Sequence, residues 1–156
     1  MKTELQKLIK KGNFIGVDDN ITQENFPMTE RRWRDYKMFD FGAITSEKAV
    51  KKMRVEGYEP ANIYELMDFN DSGVYDFIVA LGSVVGVGGY RLVPCLGRGG
   101  AGRELYLGWW VSGWDGRYRF LAVRNLETKK LKSSDTLTLD SLVSDLEKIV
   151  ERYKKG

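Results

Sequence analysis

The chain has 156 residues, 42% hydrophobic and 30% charged, which is enough apolar material to bury the core of one globular domain over residues 1–156 and excludes a disordered chain. It has no histidine and one cysteine, which excludes His-based triads, His metal sites, a zinc centre and an intramolecular disulfide. The net charge of +3 is weak electropositivity, not the footprint of a nucleic-acid binder.

Residues 2–11 set Leu5, Leu8 and Ile9 at helical spacing with lysines opposite, and Gly12 ends the turn, so a short docking helix is expected. This charged opening lacks the apolar run and cleavage site of a signal peptide, and no stretch is long enough to span a membrane, so the sequence reads as cytoplasmic, with surface display left open. Residues 13–35 read as irregular, broken by Pro27 and anchored by Phe14, Ile15, Phe26 and Trp33. Arg31, Arg32 and Arg34 around Trp33 make one short basic knot, read as a solvated turn with the tryptophan packed inward.

Residues 36–44 read as a strand, with Tyr36 and Met38 on one face and Lys37 and Phe39 on the other. Thr45 or Ser46 then caps a helix that carries Ala49, Val50 and Met53 to a stop at Gly57. After Gly57 and Pro60, residues 62–69 form a second helix presenting Ile63, Leu66 and Met67. From residue 75 onward β signals dominate, over 75–81, 90–96, 103–109 and 118–125, separated by glycine-rich turns too short for crossover helices. The expected class is α+β, two helices packed on a mainly antiparallel sheet. In 103–110 the alternation puts Leu105, Leu107 and Trp109 on a core face and Glu104, Tyr106, Gly108 and Trp110 on a face open to a partner.

Residues 126–156 form a C-terminal extension, a lysine-rich link followed by a helix striped with Leu139, Leu142, Val143, Leu146, Ile149, Val150 and Tyr153. Fewer than three heptads are present, so the stripe is expected to dock beside the first helix rather than build a coiled-coil dimer, and a monomer is expected.

One stretch, residues 77–125, differs in composition from both flanks. It holds 11 of the 17 glycines, three of the four tryptophans, six arginines, two acids and no lysine. Tyrosine, tryptophan, arginine, glycine and serine with lysine removed compose a recognition surface, because rigid rings and guanidinium forks make contact at low entropic cost. Buried strands explain the apolar runs of 77–81 and 120–123 but not the residues between them.

Other motifs fail on chemistry. Gly97, Gly99 and Gly102 spell G-x-G-x-x-G, but strand-like residues follow where a dinucleotide site needs a helix N-terminus, so this is a turn between strands. Asp68, Asn70 and Ser72 imitate a calcium loop whose twelfth position is Val79 instead of glutamate. Glu104 and Asp115 leave a carboxylate-dependent hydrolase as the minority reading, ion pairing with arginine being simpler. No catalytic residue, metal or cofactor is expected.

Five segments, GYEPANIYEL (57–66), FIVALGSV (77–84), YRLVP (90–94), LYLGWW (105–110) and YRFLAVRN (118–125), resemble the variable proteins of diversity-generating retroelements, of the archaeal and uncultivated-lineage type. The resemblance covers roughly residues 36–125. It implies a C-type lectin-like fold and a ligand-binding face rewritten between copies of the protein; the extra C-terminal helix departs from it, since such proteins often end at the variable sheet whereas this chain continues for 31 residues. The constant frame it implies is Leu81, Val93, Pro94, Leu105, Leu107, Trp109, Trp114, Phe120, Leu121 and Val123. The variable region falls in 84–118. Its first candidates are Tyr106, Gly108, Trp110, Val111, Ser112, Gly113, Asp115, Gly116, Arg117 and Tyr118, and its second rank is Val85, Val87, Tyr90, Leu92, Arg98, Gly99 and Ala101. Trp110, Tyr106, Tyr118 and Arg117 would anchor a macromolecular ligand, a protein or cell-surface component.

The same fold hosts calcium-dependent sugar binding and formylglycine-generating oxygenases. Val93, Pro94 and Cys95 supply none of the carboxylate or amide ligands of the sugar site, and the oxygenase needs a cysteine pair where Cys95 stands alone, so a divergent formylglycine-generating-enzyme-like domain stands beside the carboxylate-dependent hydrolase as the alternative reading.

Overall fold

The computed structural model describes residues 2–28, 34–69, 75–99 and 102–125. The chain divides into two units, Met1–Arg32 with Tyr36–Val123, and Trp33–Asp35 with Arg124–Gly156. In the second, Arg124 Nη2 donates to Asp35 Oδ2 at 2.8 Å. The expected C-terminal helix and the basic knot at Arg31, Arg32 and Trp33 lie outside the described residues. The first unit carries the helices of the described residues and the body of the sheet.

Helix α1 (Glu4–Gly12) is defined by its caps. Thr3 and Gln6 exchange side-chain and backbone hydrogen bonds at 3.1 and 2.8 Å, and Asn13 stops the helix in the left-handed region at φ 53°. Its apolar face then buries Leu5 completely and packs Leu8 and Ile9 against the same cluster. Helix α2 (Ser46–Val55) is capped by Thr45, so Ser46 is its first helical residue; Ala49 and Met53 are fully buried and the basic residues face out. Helix α3 (Ile63–Asp68) has only six residues, too few to be stable alone, and is fixed by an Asn62–Glu65 capping box and by burial of Ile63, Tyr64 and Leu66.

The sheet comprises β1 (Gly16–Val17), β2 (Arg34–Phe39), β3 (Glu59–Pro60), β4 (Phe77–Val79), β5 (Val85–Val87), β6 (Tyr90–Gly99), β7 (Gly102–Trp109) and β8 (Tyr118–Asn125). Its order is β1-β7-β6-β4-β8-β2, with β3 added to β8 and β5 to β6. The pairings β3–β8, β4–β6, β5–β6 and β6–β7 are antiparallel, as expected, whereas β1–β7 and β4–β8 are parallel, which local spacing does not predict. The architecture is α+β. Gly88 and Gly89, both at positive φ (59° and 85°), make the two-residue turn that joins β5 to β6, matching the twist of the strands. The G-x-G-x-x-G spelling is the end of the β6–β7 hairpin, with Gly97 opposite Glu104 and Gly99 opposite Gly102.

Two apolar clusters use alternate residues of the same strands and therefore lie on opposite faces of the sheet. One takes Ile78, Ala80, Leu92, Leu96, Leu105 and Leu121, with α1 and α3 supplying Leu5, Ile63, Tyr64 and Leu66. The other takes Val79, Leu81, Val93, Cys95, Phe120 and Ala122, with Phe39, Trp114, Tyr58 and the Ala49 and Met53 of α2. The helices thus cover both faces, and the central strands read as continuous apolar runs for that reason. Of the expected frame, Leu81, Val93, Pro94, Leu105, Trp114, Phe120, Leu121 and Val123 are buried. Trp109 is a correction: at the last position of β7 its ring is 48% exposed.

Candidate ligand-binding surface

Residues 110–117 connect β7 to β8 and are held by the start of α2. Ile44 and Trp114 form an antiparallel bridge, with Ile44 N donating to Trp114 O at 3.0 Å and Trp114 N donating to Ile44 O at 2.9 Å. The fully buried Ser46 hydroxyl donates to Trp110 O at 2.8 Å and accepts from Trp114 Nε1 at 2.9 Å. Glu47 Oε2 accepts from Trp110 Nε1 at 2.6 Å, and that hydrogen bond holds the Glu47 carboxyl below its ordinary range. The Arg91 guanidinium stands 5.2 Å from the centre of the Trp110 ring, within cation–π reach.

The loop so pinned folds back over the sheet, and this overturns the expected open face of β7. Trp114 lies against Gly108 so closely that a Cβ there would come within 2.9 Å of its ring and 3.1 Å of Cys95 Sγ. Tyr106 is half-buried in the second cluster beside Cys95 and Tyr118, and burial pushes its phenol upward. Tyr118 packs edge-on against Trp114 with centroids 4.9 Å apart. Tyr106, Gly108 and Tyr118 are therefore underlay for the loop, and Trp110 is half-buried at its margin. Val85 and Leu92 are likewise corrected: at 7% and 9% exposure they belong to the first cluster, because β5 pairs with β6 and both faces of the sheet are covered. Val87 is half-buried at the edge of that cluster.

The outer side of the loop is open. Val111 (70% exposed), Ser112, Gly113, Asp115, Gly116 and Arg117 are all exposed. Arg117 is committed within the turn, donating from Nε and Nη2 to the two Asp115 oxygens at 3.2 and 2.9 Å and from its backbone N–H at 2.8 Å, which lowers the Asp115 carboxyl. Nearby strand ends add Tyr90, 52% exposed, which stacks on Trp109 with centroids 4.6 Å apart. Arg98 is exposed at the opposite end of the β6–β7 hairpin, about 20 Å from Trp109 and about 26 Å from Tyr90 at the rise of a strand, so it is not part of the same patch. Gly99 ends β6 beside it, and Ala101 lies outside the described residues.

No signal in the sequence points to the pins at Ser46 and Glu47 or to the exposure of Trp109 beside the second-rank candidate Tyr90. Each depends on which distant residue lies above or below, and spacing along the chain does not carry that information.

Glu104 sits on β7 opposite Gly97 and Gly16, while Asp115 is engaged by Arg117; neither lines the groove of about 760 Å³ beside α2. Val93, Pro94 and Cys95 are buried in mid-strand, and burial pushes the Cys95 thiol up to about 12. Among the described residues no three His, Cys, Asp or Glu side chains gather to hold a metal, and no helix is long and apolar enough to cross a membrane. None of the protein-family models, curated proteins or solved structures compared with the chain matches it.

Proposed function

We propose that this chain is a non-catalytic binding module with a C-type-lectin-like arrangement of helices and sheet, whose contact surface varies between copies of the protein as in the variable proteins of diversity-generating retroelements. The observation that carries the reading is the division of labour within one short loop. Trp114 is buried, bridged to Ile44 and hydrogen-bonded to Ser46, whereas Val111, Ser112, Gly113, Asp115, Gly116 and Arg117 face outward. A loop held by a few inward positions accepts replacement at the others with little cost to the fold, and a diversified surface needs that property. The stacked Tyr90 and Trp109 extend the open patch with rigid rings suited to a macromolecular partner.

Sequencing the gene across its source population tests the proposal. Substitutions are expected to concentrate at the exposed loop positions and at Tyr90, with Ser46, Gly108 and Trp114 constant. Substitutions spread evenly over residues 36–125, or a surface as invariant as the core, would overturn it.

A further inference from the structure

Beside the loop, a groove of about 760 Å³ runs between α2 and the segment of β3 and residues 81–82. Its volume lies in the range of small-molecule sites, about 300–1,000 Å³. The apolar lining is Val50, Pro60, Leu81 and Trp110, of which Pro60 and Leu81 are buried parts of the fold and Trp110 is held in place by Glu47. The groove is therefore formed before any ligand arrives.

Its charges are not balanced. The two acids in the lining are already engaged: Glu59 by Arg54 Nε at 3.0 Å, and Glu47 by the Trp110 indole at 2.6 Å and by Arg91 at 3.9 Å. Lys48 and Lys51, one helical turn apart on the exposed side of α2, have no ion pair among the described residues and line the same groove. An apolar floor with two uncommitted ammonium groups on one rim complements an amphipathic anion and discriminates against the matching neutral molecule.

We infer that this groove is a binding site for a small amphipathic organic anion, with a flat or branched apolar body against Val50 and Trp110 above the Pro60–Leu81 floor and a carboxylate, sulfonate or phosphate between Lys48 and Lys51. The inference does not require the loop to vary. A constant loop would leave it intact, and an empty groove would leave the loop's reading intact.

The test uses the full chain, with anilinonaphthalene sulfonate as the anionic probe and phenylnaphthylamine, the same rings without the sulfonate, as the neutral one. The folded protein is expected to bind one sulfonate dye. The double substitution Lys48→Glu, Lys51→Glu should weaken that binding about tenfold or more while leaving the neutral dye unaffected, since one anion then meets two acids instead of two bases. Lys52→Glu, on the same helix but outside the groove, controls for the general charge of α2 and should leave affinity within about twofold. All three positions are exposed, so the variants should melt with the parent. Unchanged sulfonate affinity in the double variant, equal loss in the control, several dyes bound per chain, or no binding to the folded protein would each overturn the inference.

Discussion

Gly82 accepts no side chain. A Cβ there would meet the carbonyl oxygens of Pro60 and Ala61, the latter at 2.6 Å, and the Gly82 N–H already donates to Ala61 O at 2.7 Å. Both obstacles are backbone, so they cannot rotate away. Gly82→Ala is expected to destabilise the protein by about 1–3 kcal/mol, read as a lower denaturant midpoint at unchanged m-value. Cys95 provides a pH test. Its thiol ionises at about 8.5 in an unfolded chain and only at about 12 in the folded one, so the folded state retains the proton longer. Stability is therefore unaffected by this group below about pH 8.5 and falls as pH rises above it, by at most about 1.4 kcal/mol per pH unit. Cys95→Ala should flatten that alkaline slope in denaturation measured against pH. The native thiol should also resist alkylation until the chain unfolds.

At the scale of elements, β7 and the loop after it decide which rings are structural. Tyr106 packs with Cys95 and Tyr118 beneath the loop, so Tyr106→Ala is expected to cost about 2–3 kcal/mol. Trp109, 48% exposed at the open end of the strand, has Tyr90 as its ring partner among the described residues, so Trp109→Ala should cost about 1 kcal/mol or less. Thermal melts of the two variants check the difference, and equal losses would mean the faces of β7 are misassigned. Alternation alone reverses these roles. It reads Tyr106 and Gly108 as outward because they are polar or small, but Gly108 is small because the Trp114 ring lies on it. Where the signal is local the sequence is legible: the cap of α2, the apolar spacing of α1, α2 and α3 and the runs of β6, β7 and β8 are readable, whereas α1 stops at Asn13 rather than at the expected Gly12. The short strands β1, β3 and β5, of two or three residues, exist only through their partners, and residue order does not carry that information.

For the molecule as a whole, the two clusters are inseparable because the same strands build both. Phe120 and Leu121 are neighbours on β8, each fully buried, on opposite faces. Leu121→Ala should cost about 2–5 kcal/mol and Phe120→Ala about 3–5 kcal/mol, both lowering one shared transition. Coincident tryptophan-fluorescence and far-ultraviolet dichroism curves would establish that cooperativity, whereas a biphasic curve in either variant would refute it. The α+β class and the helix–helix–hairpin sequence are legible without the structure. The parallel contacts are not, since β4 and β8 are separated in the chain by β5, β6, β7 and the loop after it. The parallel contact of β1 with β7 also bears on how the protein is made. On the ribosome Gly16 and Val17 emerge long before Glu104 and Leu105, the residues they pair with, have been synthesised. Closing so long a loop is entropically slow, so β1, although translated well before β7, is among the last of these strands to dock. A nascent chain arrested short of β7 would leave β1 without its partner strand, the form in which a chaperone would meet it.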